Sequence, residues 1–130
     1  MTDRQAVIAA AEKYIVHGIV EHRPERVPFA DDVVRVELGM VSGASADELR
    51  AMLRSDIYEA VLSVHDLRWI VEGEQAVCFY RQKVTFIPEP LHICTRFRVV
   101  DGLIKEIEIL LYGRGVTDKI AEGVAELGRV

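Results

Sequence analysis

Residues 29–38 read FADDVVRVEL, and this stretch decides the fold that the sequence predicts. From Val33 onward apolar and polar side chains alternate, which is typical of a β-strand with two unlike faces. One face carries only apolar side chains, whereas the other carries Arg35 and Glu37. The polar face is either an exposed edge of a half-buried strand or it brings Glu37 into a functional site.

An amphipathic helix is predicted before this strand. Residues 2–5, TDRQ, match a capping box, in which side chains satisfy free backbone N–H groups at a helix start. Apolar residues, including Tyr14, then recur at helical spacing up to residue 20 or 21. Pro24 is suited to open a short second helix in the turn that follows.

After the strand, residues 39–44 are expected to form a loop. The segment Ser45-Ala46-Asp47-Glu48 again matches a capping box, and the helix it opens should end near Tyr58. The predicted buried stripe of this helix consists of Leu49, Met52, Leu53 and Ile57.

Four long antiparallel strands are predicted next, because β-branched and aromatic residues are separated there by turn signals. Their expected bounds are Val61–Val71, Gln75–Ile87, Leu91–Val100 and Leu103–Tyr112. Long strands favour a bent sheet. Two sets of residues alternate on the second strand, and the sequence does not say which set faces inward: Cys78, Tyr80 and Gln82, or Val77, Phe79 and Arg81. A last helix is expected after Thr117, with an apolar stripe of Ile120, Val124 and Leu127.

The register of the last hairpin can be predicted from its turn. A three-residue loop, residues 100–102, with Gly102 left-handed and a bulge, puts Arg96 and Arg98 on the same side as Glu106 and Glu108. The predicted apolar face joins Ile93, Phe97 and Val99 to Leu103, Ile107 and Ile109. The charged rows form either a cross-strand ladder or an anion-binding wall.

Composition narrows the class of protein. The chain has 130 residues, of which 50% are hydrophobic, so a single domain spanning residues 1–130 is expected. The net charge of −5 argues against nucleic acid and anionic membrane as partners. Residues 1–5 are polar, and no apolar run approaches the roughly 18 residues of a membrane span. The expected location is therefore the cytoplasm.

Metal and cofactor chemistry has little support in the sequence. Cys78 and Cys94 are the only cysteines, and neither lies in a metal-binding or redox spacing. The four histidines do not share a spacing typical of metal ligands. They are His17, His22, His65 and His92. We therefore expect neither a metal nor a cofactor.

Residues 12–15, EKYI, and residues 29–32, FADD, resemble segments of the nuclear transport factor 2-like superfamily, which includes ketosteroid isomerases and SnoaL-type polyketide cyclases. The resemblance implies a cone-shaped, cystatin-like α+β domain. In it, helices pack on the concave face of a strongly curved antiparallel sheet and a C-terminal helix follows. The resemblance also implies an apolar pocket and a homodimer formed through the sheet.

Three site residues follow from this resemblance. In ketosteroid isomerases a first-helix tyrosine and a late-strand aspartic acid donate hydrogen bonds to an enolate oxygen, and another carboxylate moves the proton. By resemblance, Tyr14 takes the tyrosine position, Glu37 the base position and Thr95 the aspartic acid position. If no gap is allowed after Tyr14, Leu38 takes the base position instead. Tyr14 is also compatible with a core residue whose hydroxyl is bound internally.

The threonine limits the reaction that can be expected. A threonine hydroxyl is a much weaker acid than a desolvated carboxylic acid, so Thr95 argues against steroid isomerisation. The resemblance implies proton transfer of isomerase, dehydratase or cyclase type on a small hydrophobic carbonyl compound. The alternative is a non-catalytic module that binds a small ligand or dimerises.

Overall fold

The computed structural model describes residues 3–113, in which helical segments pack on one face of a six-stranded sheet. The helical segments are α1 (Asp3–Lys13), its π-helical continuation (Tyr14–Val20), a 3₁₀ turn (Pro24–Arg26), α2 (Ala46–Leu53) and α3 (Asp56–Glu59). The strands are β1 (Phe29–Glu37), β2 (Met40–Gly43), β3 (Val61–Glu72), β4 (Gln75–Val84), β5 (Leu91–Val100) and β6 (Leu103–Tyr112). The predicted last helix after Thr117 lies outside the described residues.

The first helix changes its winding halfway. From Tyr14 to Val20 it is a π-helix, and the Glu21 N–H donates to the Val16 carbonyl at 2.9 Å, five residues back. A Cβ at Gly18 would lie 3.1 Å from Val27 and 3.3 Å from Leu53. The glycine therefore allows the π-helical segment to approach the rest of the domain closely.

The strand order is β2-β1-β6-β5-β4-β3, and it corrects one prediction. The sheet was expected to be antiparallel, but β1 pairs with β6 in parallel, with Glu37 opposite Ile109. The other neighbouring strands are antiparallel. Local alternation predicts that a segment is extended, but the direction of its neighbour depends on packing between distant segments.

Two further predictions between residues 39 and 58 are wrong. The expected loop at residues 39–44 contains strand β2, because Leu38 and Gly39 adopt φ of 51° and 82° and make a tight hairpin with β1. The expected single helix is broken at Ser55, whose hydroxyl donates to the Met52 carbonyl at 2.5 Å. As a result Ile57 is 69% exposed instead of buried.

The capping box at the start of α2 is confirmed. Ser45 Oγ accepts a hydrogen bond from the Glu48 N–H at 3.1 Å. The Glu48 carboxylate in turn accepts from the Ala44 N–H at 2.8 Å, one residue before the expected partner.

The last hairpin confirms that the arginines and glutamates share one side, but not the predicted three-residue loop with its bulge. Arg96 pairs with Glu108 and Arg98 with Glu106. The turn has two residues, and the extra residue is Lys105, which falls between the Arg98 and Val99 pairings. For this reason Leu103, which was expected on the apolar face, is 44% exposed. Ile104 is buried in the core in its place.

The buried face of β4 is the one that carries Tyr80 and Gln82. Helix α1 contacts β3, β4, β5 and β6 over this face of the sheet, so the core lies between them. Among residues 3–113, no helix combines the length and the apolar character needed to cross a membrane.

Candidate functional site

The centre of the candidate site is Arg35, which lies on β1 and is only 2% exposed. Its side chain leaves the same face as Val33, which is fully buried. The polar face of this strand therefore points into the domain, and an exposed edge is the wrong interpretation for Arg35.

The guanidinium of Arg35 binds side chains from several elements. Its Nε donates to Tyr14 Oη at 3.0 Å, and Nη2 donates to Tyr58 Oη at 2.6 Å. Its Nη1 donates to Glu37 Oε2 at 3.1 Å and to Ser42 Oγ at 2.7 Å. The network joins the π-helix, β1, β2 and α3 at one point.

The network keeps Arg35 charged. Burial by itself disfavours a charged guanidinium, but the contacts with Glu37 and the two tyrosines outweigh it and hold the pKa of Arg35 above its ordinary value. Burial also raises the pKa of Tyr58, so its hydroxyl keeps its proton. Tyr58 accepts from Arg35, and within residues 3–113 no group accepts the proton of its hydroxyl. Tyr58 is therefore free to donate to a bound molecule.

A cleft of about 270 Å³ opens beside this network. We call it the Arg35 cleft. Its polar lining consists of Arg35, Glu37, Ser42, Tyr58 and Gln82, and its apolar lining of Met52, Ile57, Val61, Val84 and Phe86. Ile57 and Phe86 are 69% and 63% exposed, so two large apolar side chains of the cleft also face solvent.

Gln82 is an unusual member of this lining. It is 8% exposed, and its amide Oε1 has no hydrogen-bond partner among the described residues. Most buried polar atoms in proteins are hydrogen-bonded, so an unpaired amide oxygen requires an explanation.

Glu37 is the residue of the predicted site that lines the cleft. Leu38, the alternative base position, lies in the tight turn after β1 with φ 51°. One carboxylate oxygen of Glu37 accepts from Arg35, and the other has no partner within the described part of the chain. Glu37 therefore keeps one oxygen available to a ligand.

Tyr14 and Thr95 lie deeper than the cleft. Tyr14 is fully buried and makes edge-on contacts with Phe29 and Phe97, with ring centres 6.2 and 5.5 Å apart. Thr95 Oγ1 lies 3.0 Å from Tyr80 Oη, and both groups are buried. The structure thus joins Tyr14 and Glu37 through Arg35 and places Thr95 in a separate pair with Tyr80. The catalytic roles of all three residues stay predictions.

Four residues of the site were not predicted from the sequence, and they are Arg35, Ser42, Tyr58 and Gln82. A usable signal existed for Arg35, because it shares its strand face with the apolar Val33. No local pattern predicts Ser42 or Tyr58 as a site residue. Ser42 reaches the site because β1 and β2 form a hairpin, and Tyr58 reaches it because the helix is broken at Ser55.

Other polar groups lie away from the cleft. The histidines are absent from its lining, and His17, for example, pairs with Glu21 at 3.0 Å. In the described residues 3–113, no three His, Cys, Asp or Glu side chains are grouped to hold a metal ion. Arg96 lies 3.1 Å from Glu108 and 3.6 Å from Glu106, so the outer charged rows form a cross-strand ladder.

Residues 1–111 match the family model described as Domain of unknown function (DUF8021). A search of curated proteins finds no match. Among solved structures, an LEH-like epoxide hydrolase of M. tuberculosis is similar over 97% of both chains, with 17% identity and a TM-score of 0.72. An NTF2-like protein of Burkholderia xenovorans LB400 is 12% identical over 84% of this chain and 91% of its own, with a TM-score of 0.65.

A SnoaL-like protein of Jannaschia sp. CCS1, assigned as a polyketide cyclase, is also similar. It is 12% identical over 85% of this chain and 88% of its own, with a TM-score of 0.68. These likenesses confirm the predicted fold, an α+β domain of the nuclear transport factor 2-like, cystatin-like type.

Proposed function

The chain belongs to the DUF8021 family of domains of unknown function, and we propose that it binds a small hydrophobic carbonyl compound in the Arg35 cleft and moves a proton beside the carbonyl. The observation that carries this proposal is the convergence of a carboxylate, Glu37, and a hydroxyl donor, Tyr58, on one buried guanidinium. A carboxylate and an oxygen-polarising group are the two components that proton abstraction beside a carbonyl requires.

The apolar lining supports binding of an apolar molecule. Ile57, Phe86 and Val84 would be partly covered by a ligand, and covering apolar surface stabilises a complex. The volume of about 270 Å³ lies below the 300–1,000 Å³ common for drug-sized ligands. The ligand is therefore small, comparable with one ring and a short chain.

The chemistry would use Glu37 and Tyr58 in different roles. The free carboxylate oxygen of Glu37 takes the proton from the carbon next to the carbonyl. The C–H electron pair becomes the new C=C bond, and the carbonyl π pair moves to oxygen. Tyr58 donates a hydrogen bond to that oxygen, and the charge of Arg35 behind it stabilises the enolate. In this proposal Tyr14 positions Arg35, and Thr95 supports the fold through Tyr80.

Hydrogen exchange tests this chemistry directly. We expect the protein in D₂O to speed deuterium incorporation next to the carbonyl of acetophenone or 2-cyclohexenone, followed by ¹H NMR. Glu37→Gln should lower the rate by roughly 100-fold or more, the lower limit for a lost general base. Glu59→Gln changes an exposed carboxylate on the neighbouring helix and serves as the matched control. If the wild-type rate equals that in buffer, the catalytic part of the proposal is wrong.

A second candidate function is ligand binding without chemistry. It is favoured by Tyr14 and Thr95, whose hydroxyls are bound inside the core and away from the cleft. Equal ligand affinity of the wild type and Glu37→Gln, without any exchange, would support this function.

We also propose a homodimer formed through the outer face of the sheet. Phe79, Cys94 and Leu110 are adjacent across β4, β5 and β6 and form an outer apolar row. Arginines and glutamates of the neighbouring ladder, such as Arg96 and Glu108, lie on the same face. A second copy related by a two-fold axis could cover the row and pair its glutamates with these arginines.

A further inference from the structure

We infer that the ligand of the Arg35 cleft carries a hydroxyl group one or two carbons from its carbonyl, and that Gln82 is the residue that selects it. This inference rests on the proposed function and adds the polar pattern of the substrate. Its basis is that Gln82 lines the cleft and that its amide oxygen is buried without a hydrogen-bond partner among the described residues.

Gln82 occupies a position that suits an apolar residue. It lies on the inward face of β4 between Tyr80 and Val84, and all three are buried. Burial of an amide oxygen without a hydrogen bond destabilises a fold, so packing alone does not account for a glutamine here. A ligand that supplies a donor would remove this deficit.

The charges around the cleft indicate a neutral partner. The cation Arg35 and the anion Glu37 form an ion pair at 3.1 Å, so the charged groups of the lining balance. A neutral hydroxyl matches this balance, whereas an ammonium or a carboxylate would add an uncompensated charge to a partly buried site.

The hydrogen-bonding groups of the cleft define a complementary ligand. Tyr58 has a hydroxyl proton to donate, which suits a carbonyl oxygen. Gln82 Oε1 has a lone pair to offer, which suits a hydroxyl proton. A hydroxy-carbonyl compound carries this acceptor and this donor close together, as a small cleft requires.

Three phenyl ketones separate the contributions of donor and acceptor. Acetophenone has only the carbonyl, 2-methoxyacetophenone adds an acceptor, and 2-hydroxyacetophenone adds a donor. A β-hydroxy ketone, 3-hydroxy-1-phenylpropan-1-one, tests the longer spacing. Affinities are measured by titration of ¹⁵N-labelled protein followed by NMR, which also reports whether the shifts fall on cleft residues.

In the wild type we expect at least one hydroxy ketone to bind roughly three- to tenfold more tightly than acetophenone and the methoxy ketone, as one net hydrogen bond allows. Gln82→Leu should abolish this preference. Gln75→Leu makes the same change at an exposed position of the same strand and should retain it. If Gln82→Leu does not fold by circular dichroism, Gln82→Met keeps the chain length of the side chain without the amide.

The outcomes separate this inference from the proposed function. If all ketones bind the cleft with equal affinity, the cleft binds carbonyl compounds but Gln82 does not select a hydroxyl. If the methoxy ketone binds as tightly as the hydroxy ketones and both bind more tightly than acetophenone, Gln82 acts as a donor and the inference is wrong. If no ketone shifts the cleft residues, the proposed function itself is wrong.

Discussion

Arg35 Nη1 lies 3.1 Å from Glu37 Oε2, although the arginine side chain is 2% exposed and the glutamate side chain 33%. The ion pair therefore spans the boundary between the core and the Arg35 cleft. Its buried end is fixed by two tyrosines, and its open end is a carboxylate. This asymmetry determines the predictions for the site.

Arg35→Lys should lower the free energy of unfolding by about 2–4 kcal/mol, because one ammonium cannot replace the planar fork that binds Tyr14, Tyr58 and Glu37 together. Urea denaturation followed by circular dichroism measures the change. Arg54→Lys alters an exposed arginine with a 3.8 Å ion pair and should shift stability by less than about 0.5 kcal/mol. Equal urea midpoints for the two variants would contradict a structural role for the buried guanidinium.

The two tyrosines should respond differently to loss of the hydroxyl. Tyr58→Phe should slow the deuterium exchange of acetophenone by roughly 10- to 100-fold, because it removes the donor to the developing oxyanion. Tyr14→Phe should mainly lower stability, by about 1 kcal/mol, because it leaves Arg35 Nε unpaired. A larger effect of Tyr14→Phe on exchange at equal protein stability would favour Tyr14 as the oxyanion donor.

Gly43 should not tolerate a side chain. A Cβ at this position would overlap the side chain of Leu49, which is fully buried. Gly43→Ala should therefore lower the free energy of unfolding by about 1–3 kcal/mol, as overpacking does. In Gly43→Ala/Leu49→Ala the smaller side chain makes room, so the double variant should be less destabilised than the sum of the single variants. Additive values would contradict the contact.

The ion pair between Lys105 and Asp32 should produce a measurable pH dependence. The hydrogen bond and the charge of Lys105, at 2.8 Å, hold the pKa of Asp32 below its ordinary value. The ionised pair thus stabilises the fold above the ordinary pKa of aspartate, and this contribution is lost as pH falls through the lowered pKa. ¹³C NMR titration of the Asp32 carboxyl should show the pKa rise in Lys105→Met. Lys83→Met, an exposed lysine on β4, should leave that titration unchanged.

Leu110→Arg should give a monomer if the outer apolar row forms a dimer interface, because a charge would be placed within the covered surface. Size-exclusion chromatography with light scattering measures the mass. Met40→Arg introduces the same charge at an exposed apolar residue of β2, outside the row, and should leave the dimer intact. A monomeric wild type would contradict the proposed interface.

The sequence predicted the long strands well because their signals are local. Two-residue alternation and the turns at Gly73 and Gly102 are readable over a few residues, and both glycines have positive φ. The shared side of the arginines and glutamates in the last hairpin was predicted for the same reason. The position of the bulge was not, since Lys105 becomes the extra residue only through the pairing of β6 with its two neighbours.

The candidate site was less predictable. The alternation in β1 grouped Arg35 with Glu37 correctly, but it does not say which face is buried. That depends on Tyr14, 21 residues before Arg35, and on Tyr58, 23 residues after it. Burial of an arginine is costly unless side chains distant in the sequence bind its guanidinium. Short-range sequence patterns do not show whether such side chains come close to it.

The π-helical winding from Tyr14 to Val20 also bears on sequence alignment with other proteins of this fold. A π-helical turn holds more residues than an α-helical turn over a similar rise, so it can absorb an extra residue without displacing either end. Length differences between the first tyrosine and the first strand can thus arise inside the helix rather than in the turn at Pro24. Carboxylates of proteins with this fold should therefore be compared by their depth in the domain rather than by counting residues from the helix tyrosine.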